Sequence, residues 1–218
     1  MLRRDLELLA KTSAHYHVLH VSTAGSVELI RQAKAAGLSV SAEATPHHRL
    51  LTDAACMGYD PNLKMNPPLR SADDVEALRA AVADGTIDCL ASDHAPHSKE
   101  EKDLEFGLAP FGVISLDCAL ALYVKALISA KLCDWPRLIA ALTANPAKVI
   151  SAVNSKLGRL QEGGPADVTV IDPTRQWTVN VESFASKARN CPYDGWRLKG
   201  RATMIIVGGQ VKFELPEQ

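Results

Sequence analysis

The sequence predicts an α/β fold in which alternating strands and helices fill the first part of the chain and a small β module fills the last part. The 218 residues are 47% hydrophobic and 22% charged, an ordinary globular composition with enough apolar residues for a core. Short β-prone runs alternate with amphipathic stretches up to residue 91, as in parallel β-α-β units. From Gly158 onward, short β runs follow one another closely, which indicates a separate module.

The first elements are a helix and a β-α-β unit. Apolar residues recur at helical spacing over residues 2–12, so an amphipathic helix opens the chain. A strand is predicted over 16–21, a second strand over 38–44, and between them a helix over 26–36 that Gly37 ends.

A long loop and a further helix-strand pair follow. Residues 45–70 are rich in turn formers, and two prolines near the end of this segment exclude a helix or a central strand there. Ser71 is the expected N-cap of a helix over 73–83, which Gly85 ends before a third strand over 87–91.

The remaining segments predict covering helices and then the β module. After a polar segment over 98–108, helices over 113–130 and 135–142 are expected to cover a barrel wall. Gly208 and Gly209 form the expected hairpin turn of the β module. Its predicted strands cover residues 166–171, 176–179, 203–207 and 211–213.

Charge and cysteine content exclude several classes of protein. The formal net charge is -1, and the charged residues form no long run of one sign, so we expect no nucleic-acid or membrane partner. The five cysteines include no CxxC pair, which indicates neither a disulfide framework nor a zinc knuckle. With no signal peptide and no run near ~20 apolar residues, a cytoplasmic protein with a small-molecule substrate is expected.

Two candidate metal ligands follow predicted strands. His20 ends the first β-prone run and Asp93 comes just after the third. A β/α barrel presents its catalytic groups at the carboxyl ends of its strands, so we expect these side chains to lie close together. Imidazole nitrogen and carboxylate oxygen suit zinc, but a catalytic zinc generally has three protein ligands. The pair alone therefore predicts weak metal binding, and a structural histidine is the plainer alternative.

Several motifs around these two residues stand in a recognisable order. They are His20-Val21-Ser22-Thr23, Glu43-Ala44-Thr45-Pro46-His47-His48, Lys64-Met65-Asn66-Pro67-Pro68-Leu69-Arg70, Asp93-His94-Ala95-Pro96-His97, Ala109-Pro110-Phe111-Gly112, Thr143-Ala144-Asn145-Pro146-Ala147 and Gly158-Arg159-Leu160. Together they resemble the dihydroorotases of the bacterial branch of the amidohydrolase superfamily, over most of the chain. One such motif is weak evidence, whereas this many in order are strong.

The resemblance implies a fold and an activity. The fold is the C-terminal part of a β/α (TIM-type) barrel, strands six to eight with their helices, over residues 1–157, and part of a small β-sandwich over 158–218. The activity is the reversible interconversion of L-dihydroorotate and N-carbamoyl-L-aspartate in pyrimidine biosynthesis. The implied cofactor is zinc, one or two ions in a complete enzyme.

The resemblance also implies roles for individual residues. His20 and Asp93 match metal ligands. Asp93 further matches the general base that takes a proton from the metal-activated water and returns it to the departing amide nitrogen. The implied substrate-binding residues are Asn66, His97, Phe111 and Gly112.

Plainer interpretations of some of these residues stay open. Asn66 precedes two prolines and suits a turn, and Gly112 suits the entry to a helix. His47 and His48 follow the second strand, where a structural role or support of a ligand is favoured. His94, between a candidate ligand and a proline, is expected to support its loop.

Other parts of the family site match no segment of this sequence. These parts are a His-x-His pair on strand one, a bridging carboxylate or carboxylated lysine on strand four and a histidine on strand five. We therefore expect a fragment or one half of a split enzyme, inactive alone. The alternatives are another cyclic amidohydrolase, such as an allantoinase or hydantoinase, and a non-catalytic scaffold that binds aspartate transcarbamoylase. A homodimer is the other expected assembly.

Overall fold

The computed structural model describes residues 1–150 and 157–216 and contains two three-stranded sheets. The first sheet is parallel, in the order β1-β2-β3, with strands Tyr16–Val18, Val40–Ala44 and Cys89–Leu90. The second is an antiparallel meander, β4-β5-β6, with strands Val168–Thr178, Arg197–Val207 and Gln210–Glu214. The predicted α/β class, with parallel strands first and antiparallel strands last, is confirmed.

Helices alternate with the parallel strands and follow them. They are α1 (Leu2–Leu9), α2 (Ala24–Ala35), α3 (His47–Leu50), α4 (Ala72–Ala83), α5 (Lys99–Lys102), α6 (Ala119–Tyr123), α7 (Trp135–Leu142) and α8 (Ala144–Val149). A π-helical turn, Val124–Ile128, continues α6. The predicted N-cap is confirmed, because the Ser71 hydroxyl accepts a hydrogen bond from the Asp74 N–H.

One face of the parallel sheet packs on the helices. Val40, Ala42 and Ala44 alternate along β2 and are all buried, as expected for side chains on one face of a strand. They share a core with Ile30 of α2 and Leu78 of α4, which are fully buried. Burial of an Ile or Leu side chain contributes roughly 1.5–3 kcal/mol, so this layer anchors the strands.

The opposite face of the same sheet is polar. The His17 ring is hydrogen-bonded to Ser41 Oγ at 2.7 Å and to Glu43 Oε2 at 3.2 Å. His15 is bonded through its two ring nitrogens to Ser39 Oγ at 2.9 Å and Ser41 Oγ at 2.8 Å. This face therefore carries an ordered polar network that leads toward the carboxyl ends of the strands.

Several predicted boundaries were wrong. Strand β1 ends at Val18 rather than residue 21, because the backbone turns at His20 with φ 33°. The helix predicted over 113–130 begins only at Ala119, since Val113 pairs with His94. The runs at 166–171 and 176–179 form one continuous strand, β4, with a register shift between them.

Two further features bear on the predictions. The long loop holds helical turns that the sequence did not predict, namely α3, Asp53–Gly58 and Pro61–Leu63. The hairpin turn between β5 and β6 is confirmed, with φ of 56° at Gly208 and 76° at Gly209. Within residues 1–150 and 157–216, no helix has both the length and the apolar character needed to cross a membrane.

Candidate active site

The two candidate metal ligands lie where the backbone turns away from the parallel sheet. His20 has φ 33° and Asp93 has φ 47°, a left-handed conformation that is uncommon outside glycine. Such conformations persist where surrounding structure enforces them, often at functional sites. The Val21 N–H donates to the Glu43 main-chain oxygen at 2.9 Å and so ties the first of these turns to β2.

The electrostatic setting of Asp93 suits proton transfer. Burial raises the pKa of the Asp93 carboxyl, the nearby His20 imidazole acts in the opposite direction, and the Glu43 carboxylate raises it further. The side chain is 32% exposed, so water reaches it. A carboxylate whose pKa is above its ordinary value is a stronger base than an exposed one, which suits a group that accepts a proton from water.

His47 contacts Asp93 from inside the protein. The His47 side chain is fully buried, its Nε2 lies 3.6 Å from Asp93 Oδ2, and neither ring nitrogen has a hydrogen-bond partner among the described residues. Burial lowers the pKa of His47 well below its ordinary value, and the neighbouring His48 and His20 act in the same direction. The ring is therefore neutral, with a polar atom directed at the Asp93 carboxylate.

His48 has a different, structural role. Its ring is hydrogen-bonded to Thr45 Oγ1 and to the Pro67 main-chain oxygen, both at 2.8 Å. Burial lowers the pKa of His48 to about 4, so it is uncharged at neutral pH. It holds the loop that precedes α4 against the end of β2.

The predicted substrate-binding residues occupy the loops beside Asp93. The His97 Nε2 lies 2.9 Å from the Phe111 main-chain oxygen, so these two residues contact each other. Phe111 is 56% exposed, whereas Gly112 is buried with φ 124°. A Cβ at Gly112 would lie 2.5 Å from the Ala95 Cβ, so glycine permits the close approach of the two loops.

The loop that carries Asn66 contacts the same region. The Gly112 N–H donates to the Lys64 main-chain oxygen at 2.9 Å, and the Lys64 ammonium lies 4.7 Å from the centre of the Phe111 ring. Asn66, two residues further on, is exposed. The structure thus brings His97, Phe111 and Gly112 into contact, with the Asn66 segment beside them.

The metal-binding capacity of the described residues is incomplete. His20 and Asp93 supply two ligands of types that zinc accepts, and the unpaired His47 nitrogen is directed at Asp93. Within residues 1–150 and 157–216, however, no group of three His, Cys, Asp or Glu side chains is placed to hold a metal ion. These residues therefore do not form a complete zinc site, which generally takes three protein ligands.

Comparison with known proteins decides the family. The sequence model of the amidohydrolase family matches residues 2–212. The chain belongs to the amidohydrolase family. Curated relatives named dihydroorotase match almost all of this amidohydrolase chain. The relative from Pelotomaculum thermopropionicum is 49% identical over 211 residues, which are 97% of this chain and 49% of that protein. The relative from Endomicrobium trichonymphae is 45% identical over 99% of this chain and 50% of that protein. The chain spans about half the length of the curated relatives it matches.

Solved structures match the fold over the same extent. An L-hydantoinase (dihydropyrimidinase) from Arthrobacter aurescens superposes with a TM-score of 0.92 and 30% identity, covering 99% of this chain and 48% of that one. A D-hydantoinase (dihydropyrimidinase) from Thermus sp. gives a TM-score of 0.89 at 26% identity, covering 98% of this chain and 48% of that one. These matches extend over both sheets, so the chain has the amidohydrolase fold, which is of TIM-barrel type.

Sequence reasoning missed several residues of this site. Glu43 belongs to one of the motifs that resemble the family, but the sequence analysis gave it no role. Its position near the end of β2 could have indicated that it lies close to the site. His47 was given a general supporting role, but its contact with Asp93 depends on the turn of α3. Lys102 and Asn190 bind main-chain oxygens of the loops at Ala95 and Gly112, but no local pattern pointed to them, since one lies in a charged segment and the other far along the chain.

Proposed function

We propose that this chain forms the part of a dihydroorotase that contains barrel strands six to eight, followed by part of a small β-sandwich. In this assignment β1, β2 and β3 are the barrel strands, residues 1–157 are the barrel segment and 158–218 the sandwich segment. The observation that carries the proposal is Asp93, a half-buried carboxyl of raised pKa on a left-handed turn at a strand end. The dihydroorotase relatives add support over 97% of the chain.

The reaction is the reversible hydrolysis of a cyclic amide, dihydroorotate, to carbamoyl aspartate. Asp93 accepts a proton from the water as its oxygen bonds to the ring carbonyl carbon. In the tetrahedral intermediate the same carboxyl gives the proton to the ring nitrogen. The carbon–nitrogen bond then breaks and the ring opens, which leaves a single product that carries both the ureido group and a new carboxyl group. That carboxyl releases its proton to solvent.

Other residues of the chain hold the substrate and the base. The Asn66 amide offers a donor and an acceptor, which fits the edge of a cyclic ureide. His97 pairs with the substrate carboxylate if it is protonated, or donates one hydrogen bond if it is neutral. Phe111 borders the substrate with its exposed ring. Gly112 shapes the same loop, because its N–H donates to the Lys64 main-chain oxygen and its carbonyl accepts from Lys102 and Asn190. The chemistry that zinc supplies when bound is a water of lowered pKa and a polarised carbonyl. Because His20 and Asp93 are too few, the proposal requires further ligands from outside the described residues.

A hydantoinase-type activity is the second candidate, and the structural similarity to the Arthrobacter aurescens L-hydantoinase favours it. The Lys64-Met65-Asn66 segment and His97 favour dihydroorotate. The test is to assay the full-length protein that contains this chain, loaded with zinc, against dihydroorotate, hydantoin and allantoin. Preference for dihydroorotate is expected, and turnover of hydantoin or allantoin with none of dihydroorotate would contradict the proposal.

The incomplete set of metal ligands also leads us to propose how this polypeptide behaves in the absence of other chains. We expect the 218-residue chain to bind zinc weakly and to lack turnover, with a homodimer or a complex with aspartate transcarbamoylase as the expected cytoplasmic assemblies. Metal analysis after gel filtration tests this. A purified monomer that holds stoichiometric zinc and hydrolyses dihydroorotate would contradict it. A full-length protein that binds aspartate transcarbamoylase but shows no turnover would favour the scaffold alternative.

A further inference from the structure

Two buried polar side chains from outside the site hold the loop over residues 109–112. The first is Lys102 at the end of α5, which is only 6% exposed. Its ammonium donates to the main-chain oxygens of Pro110 and Gly112, both at 3.0 Å. A lysine so deeply buried with backbone carbonyls as its partners fixes the direction of those two peptide groups.

The second side chain is Asn190, which is 3% exposed and follows Gly112 by 78 positions in the sequence. Its amide nitrogen donates to the main-chain oxygens of Ala95 at 2.9 Å and of Gly112 at 3.1 Å. Its side-chain oxygen accepts from the His97 N–H at 3.3 Å. One amide therefore uses both donors and its acceptor to join the loop after Asp93 to the loop at Gly112.

The two side chains share one acceptor, the Gly112 carbonyl oxygen. It receives hydrogen bonds from Lys102 Nζ and from Asn190 Nδ2, one for each of its lone pairs. The carbonyl is consequently turned toward the protein interior. The neighbouring Phe111 oxygen lies against the His97 ring, so the orientation of His97 depends on the same arrangement.

We propose that Lys102 and Asn190 are positioning residues that hold His97, Phe111 and Gly112 in the arrangement that binds substrate. The proposal rests on the proposed function for the identity of that substrate, dihydroorotate. The partners of both side chains are main-chain groups of these loops, so both act on binding rather than on bond breaking. A loop that is already ordered when substrate arrives loses less conformational entropy on binding, which tightens binding without changing the chemical step.

The holding role is tested first without substrate, by amide hydrogen exchange of the protein. In Lys102→Met the amides of residues 109 and 111–114 should exchange at least about tenfold faster than in the wild type. The matched control is Lys99→Met, which removes an exposed lysine from the same short helix and should leave these amides unchanged. Equal exchange in the two variants would overturn the proposal.

The effect on substrate is tested in the zinc-loaded full-length protein that contains this chain. Asn190→Ala and Lys102→Met should each raise KM for dihydroorotate about tenfold, with kcat within about threefold and zinc content unchanged. The double variant should show less than the product of the two effects, because both residues bind one carbonyl. An unchanged KM, or a fall in kcat alone, would overturn the proposal.

The two tests separate this inference from the proposed function. If Lys102→Met loosens residues 109–114 while the wild-type protein shows no turnover of dihydroorotate, the proposed function fails and the holding role stands. If the wild-type enzyme hydrolyses dihydroorotate and the loop is unaffected in Lys102→Met and Asn190→Ala, the inference fails and the proposed function stands.

Discussion

Replacement of Tyr123 by Phe should loosen the strand ends that carry the site. The Tyr123 side chain is fully buried, and its hydroxyl donates toward the main-chain oxygens of Ala44 at 2.9 Å and Ala91 at 2.5 Å. These oxygens lie at the carboxyl ends of β2 and β3. The Ala44 oxygen keeps a second partner in the Ala91 N–H, so the variant mainly leaves the half-buried Ala91 carbonyl without its partner.

An unpaired buried acceptor costs roughly 1–3 kcal/mol, so we expect the free energy of unfolding to fall by about 2 kcal/mol. For a chain of this length that corresponds to a fall in Tm of roughly 4–8 °C. The measurement is urea and thermal unfolding followed by circular dichroism. Tyr16→Phe is the matched control, because its partly exposed hydroxyl donates to Asp5 Oδ2 at 3.2 Å, and it should cost below about 1 kcal/mol. Equal losses in the two variants would refute the reasoning.

Three further predictions concern the loops and a helix cap. Burial lowers the pKa of Lys102 to about 8, so the unfolded chain binds more protons above that pH. The free energy of unfolding of the wild type, relative to that of Lys102→Met, should therefore rise by about 1 kcal/mol per pH unit between pH 8 and 10.5. Urea titrations measure it, and a difference between the two proteins that does not change with pH would contradict the prediction. Gly112→Ala should lower the free energy of unfolding by about 2 kcal/mol or more in the same assay, because φ is 124° and the added Cβ would lie 2.5 Å from the Ala95 Cβ. The control is Gly107→Ala, whose added Cβ meets no atom within 4 Å and should change the free energy of unfolding little. Ser71→Ala should cost about 1 kcal/mol by loss of the α4 cap, and no change in the denaturation midpoint would contradict the cap.

The fold was predictable where periodicity and local signals agree. Helix α7 was predicted with both ends right, and α4 was placed to within one residue at its start, because capping residues mark each start. The short strands β1 and β3 were predicted too long, since apolar residues continue past the point where the backbone turns. A single sequence does not show that turn, because it is set by contacts between neighbouring strand ends.

The site was predictable only in its outline. Asp93 was singled out because it follows an apolar run and lies in one of several motifs that resemble the family, and its role stays a prediction. The contact of His47 with Asp93 depends on the unpredicted turn of α3, and the contact of Asn190 with Gly112 spans 78 positions. Neither contact leaves a local pattern, so no periodicity argument reaches it.

Replacement of Asp93 by Asn tests the central claim most directly. Asparagine keeps the size of the side chain but cannot accept a proton at neutral pH. In the zinc-loaded full-length protein that contains this chain, kcat for dihydroorotate hydrolysis should fall by about 10²–10⁴-fold, the range that general acid–base catalysis contributes, while Tm changes little. Wild-type kcat in Asp93→Asn would contradict the assignment of Asp93 as the proton acceptor.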